Sequence, residues 1–316
     1  MRLHTDPQAF ETLLLDIAER TGIRADILEK DYYVTLMLKE LADKQNQLPA
    51  YFKGGTALYK ALGSIRRFSE DIDLTVSIES CSNSQAKRRL ERATNEYECL
   101  KRDKTDKDND NRKGSITSIY NYESVVMIDI GDALQRFGRV KVEATSFTVS
   151  EPFEPMQIAP IIFEMANPEQ QEILTQTYDV NSFSIQTITL ERIFVDKIFA
   201  AEFYYLRNKY FDVAKHLYDI SILLKNDRIK KMCLNDAMLE RIIEYKRKEE
   251  KFRVGSELAH KPIKEFGFLK TGYDNKDLIK EFARMQEIYV FNKVDALSLK
   301  DLKLCLHEIP LYFKYF

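Results

Sequence analysis

From Pro7 to about Lys44 the apolar residues recur at helical spacing, with Phe10, Leu13, Leu14 and Ile17 on one stripe and Tyr33, Leu36, Met37 and Leu41 on another. Two amphipathic helices joined around Gly22 are predicted. The pattern then shortens. Tyr51 to Lys53 reads as a brief strand running into Gly54-Gly55-Thr56, after which Ala57, Leu58, Tyr59, Ala61 and Leu62 restore helical spacing until Gly63 stops it. A second strand is expected at Ile72 to Ser77, where Ile72 and Leu74 face a core while Asp71 and Asp73 leave by the other face. A basic helix follows from about Ser84 to Leu100.

Lys101 to Gly114 is almost entirely charged or amide side chains, which bury little, and predicts an exposed, weakly ordered loop. Ile116 to Ile130 and Arg139 to Thr148 are rich in β-branched and aromatic residues and predict an antiparallel pair that turns through Gly131 to Gly138. Pro152 to Ser184 holds four of the eight prolines and is expected to connect two lobes. From Thr187 onward helical periodicity dominates. The fold class expected is therefore α+β, with residues 1–185 as a first domain carrying the N-terminal helices and 186–316 as an α-helical second domain.

Composition bounds the function classes. A chain of 316 residues with 44% hydrophobic and 31% charged residues is long enough for two cores and is that of an ordered protein. A formal charge of -2 provides no molecule-wide positive field for nucleic acid or an anionic membrane, so any polyanion site must be local. Lys87, Arg88, Arg89 and Arg92 form one candidate basic cluster, and Lys246, Arg247, Lys248, Lys251 and Arg253 another; acidic neighbours dilute both, and solvated helix faces are the favoured reading of each. Cys81, Cys99, Cys233 and Cys305 are scattered without a CxxC, which indicates neither a zinc site nor a disulfide framework and fits a reducing cytoplasm. No apolar run approaches the roughly 18–20 residues needed to span a bilayer, so no membrane partner is expected.

The candidate chemistry lies between Phe52 and Val76. Two divalent ions held by clustered carboxylates neutralise phosphate charge and align an attacking oxygen. Asp71-Ile72-Asp73 is a compact holder for such ions, and Glu143, in Val140-Lys141-Val142-Glu143-Ala144, is a candidate third ligand from a neighbouring strand. Gly54, Gly55 and Thr56 leave backbone amides accessible at a helix N-terminus, where a triphosphate is favoured. Neither a DxD nor a glycine turn is specific by itself; their order along the chain is the stronger signal. In the second half, Leu190, Phe194, Lys197 and Ala201 share one helix face, so Lys197 interrupts an apolar stripe and requires an anion such as the metal carboxylates or a phosphate, unless it snorkels to water or makes an ordinary interlobe salt bridge. On the next helix His216 and Asp219 border the buried stripe of Val213, Leu217, Ile220 and Leu224. They are placed to orient Lys197, contact a nucleotide or act as a base, or else to form a local hydrogen-bonded cap.

Phe52-Lys53-Gly54-Gly55-Thr56-Ala57-Leu58, followed by Arg67-Phe68-Ser69-Glu70-Asp71-Ile72-Asp73-Leu74, resembles the signature of the AbiEii/AbiGii nucleotidyltransferase-like toxins, which include the MenT toxins. Glu29-Lys30-Asp31-Tyr32, Val140-Lys141-Val142-Glu143, and Lys197 with His216-Leu217-Tyr218-Asp219 extend the resemblance over most of the chain. It implies a DNA polymerase β-like nucleotidyltransferase core with a helical C-terminal lobe and a site dependent on Mg²⁺ or Mn²⁺. It also implies an NTP such as ATP, GTP or CTP as substrate, RNA and most plausibly a tRNA 3′ end as acceptor, and a cognate antitoxin in a toxin-antitoxin or phage-defence pair. Carried over residue by residue, Gly55 and Thr56 would meet the triphosphate, with Gly54 beside them, and Asp71 and Asp73 would bind metal. Ser69 would sit next to that pair, Lys197 would contact phosphate with His216 nearby, and Asp219 would complete the site. Fourteen residues separate Thr56 from Asp71, more than in the wider superfamily but ordinary for the toxin group. Three competing readings use the same residues: transfer to a protein, a nucleotide-responsive binding protein without turnover, and a metal-dependent nuclease or phosphohydrolase.

Overall fold

The computed structural model describes residues 2–62, 67–128, 137–147, 149–251, 257–290 and 293–313. Two compact units emerge: one comprises Met1–Gly63, Phe68–Ser146 and Phe153–Thr187, and the other runs from Ile188 and takes in Phe147–Pro152 and a short piece ending at Arg67.

In the first unit, helix α1 (Pro7–Thr21) starts at the Asp6 cap, whose carboxylate accepts from the Ala9 amide, and ends at Gly22 with φ +73°. Helix α2 (Ala25–Lys44) follows, then strand β1 (Ala50–Lys53), helix α3 (Gly54–Leu62), strand β2 (Ile72–Val76) and helix α4 (Asn83–Asn95), which Ser82 and Gln85 close with a capping box. Strands β3 (Lys101–Asp103), β4 (Asp110–Arg112), β5 (Ser115–Asn121), β6 (Arg139–Thr145) and β7 (Phe153–Ile158) come next. Helices α5 (Ile161–Glu164) and α6 (Pro168–Tyr178) and strand β8 (Phe183–Ile188) complete the unit. All eight strands form one mixed sheet in the order β3-β5-β6-β2-β1-β8-β7, with β4 on β5. The α+β expectation is met. The turn expected at Gly131 to Gly138 lies mostly outside the described residues, but β5 and β6 do pair antiparallel from Ser115↔Thr145 to Asn121↔Arg139.

Register divides the sheet into two chemically different faces. Phe52, Leu74, Ala144 and Ile116 lie in line across β1, β2, β6 and β5, and all four are buried. Their immediate neighbours in sequence Lys53, Asp73, Glu143 and Thr117 lie in line on the opposite face, because side chains alternate along a strand.

Two expectations for this unit fail for physical reasons. The charged stretch from Lys101 to Gly114 is not a weakly ordered loop: it contributes β3 and β4. Its acidic residues find local donors there, Asp103 accepting from the Thr105 and Asp106 amides, and Arg139 bridging Asp106 and Asp108. Pro152 to Ser184 is not a connector either, since it supplies β7, α5, α6 and β8. Pro155 is tolerated because β7 is the sheet edge, where a missing N–H costs no ladder bond.

Asp26, Glu29, Lys30 and Asp31 of α2 are buried, and each has a partner. Asp31 pairs with the Lys60 ammonium at 2.6 Å and accepts the Ile161 N–H at 2.7 Å, while Lys60 also donates to the Ala159 carbonyl at 2.8 Å. Glu29 accepts from the Val125 amide at 2.7 Å and from the Ser124 hydroxyl, and burial pushes its carboxyl up to about 7.

The second unit is helical, as its periodicity predicts: α7 (Leu190–Tyr205), α8 (Tyr210–Leu223), α9 (Asp227–Cys233), α10 (Asp236–Glu250), α11 (Gly267–Thr271), α12 (Lys276–Tyr289) and α13 (Leu299–Tyr312). Helix α8 packs on α7, α12 and α13 and forms the centre of this unit. The basic run beginning at Lys246 is not a solvent-facing patch throughout. The Lys246 ammonium is buried among Glu249 at 2.5 Å, Glu250 at 2.8 Å and Asp196 at 3.6 Å, next to Arg192, which pairs with Asp196 and Glu249. Arg253 lies outside the described residues. No described helix is long and apolar enough to cross a membrane.

Candidate functional site

The sheet's polar row builds the site in the first unit. Asp73 leaves β2 between Lys53 of β1 and Glu143 of β6, its register partners on either side. Glu143 was proposed from sequence as a third carboxylate, and the parallel pairing of β2 with β6 sets it directly alongside Asp73. Ile72 pairs with Val142, so continuing the same register one step back aligns Asp71 with Lys141. Their charges meet: Lys141 Nζ lies 2.8 Å from Asp71 Oδ2, with both side chains about one-third exposed (32% and 34%). Lys141 is the residue that sequence reasoning missed. The signal was its two-residue spacing from Glu143, which puts both on one face.

Electrostatics confirm how tightly the charges are packed. Burial, then the Glu143 and Asp71 charges, raise the Asp73 carboxyl to about 6, against the opposing pull of Lys53 and Lys141. The Lys141 ammonium is held above the usual lysine range; burial opposes this, and the Asp71 carboxylate overcomes it, aided by Asp73 and Glu143.

Gly54 explains why the glycine turn precedes the helix. Its φ is +81°, and a Cβ added there would stand 2.2 Å from Asp73 Oδ2. The turn therefore brings the backbone opening α3 against the carboxylate, an approach open only to glycine. Gly55 is the next residue of α3, so both glycines belong to the first turn, whose N–H groups have no partner within the helix. Thr56 is buried instead of facing outward. Its hydroxyl donates to the Asp71 carbonyl at 2.6 Å and lies 2.9 Å from Ser69 Oγ, so it ties the first turn of α3 to the segment entering β2. Its side chain braces the carboxylate segment, which leaves backbone amides as the groups able to meet a phosphate here.

The donor set suits a hard divalent ion, since Asp71, Asp73 and Glu143 offer carboxylate oxygens only. Among the described residues no three His, Cys, Asp or Glu side chains are closed around a common point. Asp71 is turned onto Lys141, which relieves part of the like-charge repulsion that raises the Asp73 carboxyl.

Lys197, His216 and Asp219 fall in the second unit and are brought together there. Leu190, Phe194, Lys197 and Ala201 are all buried, as their shared face requires. The anion that Lys197 needs is Asp219, at 2.6 Å. Asp219 is fully buried and also receives Arg67 in a two-pronged pair, Nε to Oδ1 and Nη2 to Oδ2, both at 2.7 Å. Burial alone would raise this carboxyl; the Arg67 and Lys197 charges hold it well below the ordinary range instead. Arg67, the second cation that sequence reasoning missed, is two residues upstream of Ser69 and is further held by a bridge to Val290. The His216 ring stacks on Tyr204 with centroids 5.5 Å apart. Its Nδ1 is shielded without a partner, and burial followed by the Lys197 charge keeps it neutral at physiological pH. Asp219 is thus the shared anion of two cations, with its oxygens already committed.

A family model described as nucleotidyl transferase AbiEii toxin, type IV toxin-antitoxin system, matches residues 36–299. No curated protein matches the chain.

Proposed function

The chain belongs to the nucleotidyl transferase AbiEii toxin family of type IV toxin-antitoxin systems, and we propose that it transfers the nucleotidyl group of an NTP to RNA, with a tRNA 3′ end as acceptor and a cognate antitoxin as partner. The observation that carries this reading is the alignment of Asp73 with Glu143 on the polar face of the sheet, with Asp71 one step along and the first turn of α3 against Asp73.

Each residue has a task in this reading. The free N–H groups at Gly54, Gly55 and Thr56 bind and orient the triphosphate, helped by the positive end of the helix dipole. Asp71, Asp73 and Glu143 hold Mg²⁺ or Mn²⁺, which supplies charge neutralisation at the reacting phosphate. Thr56 and Ser69 keep Asp71 in place. In the second unit Lys197 is the phosphate-binding cation, and Asp219 with Arg67 fixes its ammonium, while His216 stays neutral beside it. A DNA polymerase β-like core is the arrangement this reading expects of the first unit.

Purified protein incubated with each α-labelled NTP, Mg²⁺ or Mn²⁺ and total tRNA is expected to label RNA. Asp73→Ala and Lys197→Ala are expected to remove the label. NTP binding with no labelled product under any nucleotide or metal would overturn the transferase reading in favour of a nucleotide-responsive binding protein. Label on a co-purified protein would redirect the acceptor, and shortened RNA would indicate a nuclease.

A further inference from the structure

Three carboxylates, Asp71, Asp73 and Glu143, share the polar face, yet one already has a cation. Asp71 is paired with Lys141, whose position is set by the same strand that carries Glu143. The pairing is no accident of a long surface side chain: both groups are about two-thirds shielded, Lys141 is held in the β5–β6 ladder opposite Ile119, and Asp71 immediately precedes Ile72, where the β2–β6 ladder begins. Lys141 engages Asp71 Oδ2, so a divalent ion that uses Asp71 meets a carboxylate whose charge is already balanced and an ammonium beside it.

We infer that Lys141 is an internal counter-cation that opposes the divalent ion at Asp71, so that metal binds the carboxylates more tightly when another anion accepts the lysine. This rests on the reading of Asp71, Asp73 and Glu143 as metal ligands and deepens it. The chemistry identifies the second anion as a phosphate oxygen of the incoming nucleotide. It would arrive at the α3 N-terminus, against Asp73, on the same sheet face as Lys141. Without nucleotide the ammonium neutralises one carboxylate and keeps the cluster weak for metal. With nucleotide the ammonium would exchange Asp71 for the phosphate and leave both Asp71 oxygens open to the metal, with no covalent bond made or broken. Metal loading and nucleotide loading thereby become mutually reinforcing.

The test is Mn²⁺ binding to the full chain, followed by calorimetry and by the electron paramagnetic resonance signal of free Mn²⁺, without nucleotide and then with a non-hydrolysable NTP analogue. Lys141→Met keeps the stem and removes the charge. It is expected to tighten Mn²⁺ binding in the absence of nucleotide by about tenfold, as loss of a competing ion pair that is about two-thirds shielded implies, and to shrink the enhancement that the analogue gives. Lys141→Arg retains the charge and is expected to bind Mn²⁺ no more tightly than the wild type. Unchanged or weaker binding by folded Lys141→Met, checked by circular dichroism, would overturn the inference while leaving the metal reading intact. Absence of Mn²⁺ binding by both wild type and Lys141→Met, with and without analogue, would overturn the metal reading and this inference together.

Discussion

Replacing Gly54 by alanine tests the closest approach in the site without presuming any activity. Two costs add. Placing a Cβ at φ +81° costs about 1 kcal/mol of backbone strain. The new methyl would also stand 2.2 Å from Asp73 Oδ2, well inside the 3.0 Å that such contacts essentially never cross, so the turn or the carboxylate must move. Overpacking of this kind costs about 1–3 kcal/mol more. Gly22 is the internal control, since it has φ +73° and nothing within 4 Å of its added Cβ, and therefore suffers the strain alone. At about 3 °C per kcal/mol for a unit of this size, Gly22→Ala is expected to lower the melting temperature by about 3 °C and Gly54→Ala by about 6–12 °C, read by differential scanning fluorimetry. In the labelling assay, displacement of Asp73 by about 1 Å predicts a loss of about 100-fold for Gly54→Ala, with Gly22→Ala retaining activity. Equal melting losses for the two variants would refute the reasoning, because they would mean that Gly54 does not abut the carboxylate.

Other expectations follow from the same geometry. Asp219→Asn removes the buried carboxylate that Arg67 and Lys197 share and is expected to destabilise the chain by about 3–5 kcal/mol in urea denaturation; a loss below about 1 kcal/mol would mean that the pair is solvated. The folded-state value of Asp73 is raised from 3.8 to about 6, so the folded chain holds more protons than the unfolded chain between those pH values, and this group's contribution to stability falls as pH rises through that window. Asp73→Asn is therefore expected to be more stable than wild type at pH 7.5 and to lose that advantage below about pH 4, as measured by melting temperature across pH; an advantage independent of pH would contradict the assignment. Lys60→Met strands Asp31 with one amide donor and should cost about 3–5 kcal/mol, whereas Lys60→Met combined with Asp31→Leu should recover much of the loss in a double-mutant cycle, and additive losses would show that the pair is not coupled.

Local pattern was sufficient to determine the elements that hold the site. Helical spacing located α1, α2, α3, α7 and α8, and alternation in Asp71-Ile72-Asp73-Leu74 assigned the carboxylates to one face and the apolar pair to the other, because side-chain direction in a helix or strand depends only on near neighbours. The same logic identified Lys197 as a buried charge in need of an anion. Only the tertiary structure decided which anion and which neighbour. Asp219 meets Lys197 and Arg67 from other elements, Lys141 falls beside Asp71 and Glu143 beside Asp73 through the register of β2 on β6, and Asp106 and Asp108 are ordered by Arg139. Strand register and the pairing of distant charges are set by the packing of the whole sheet or bundle, so no short window of sequence contains them.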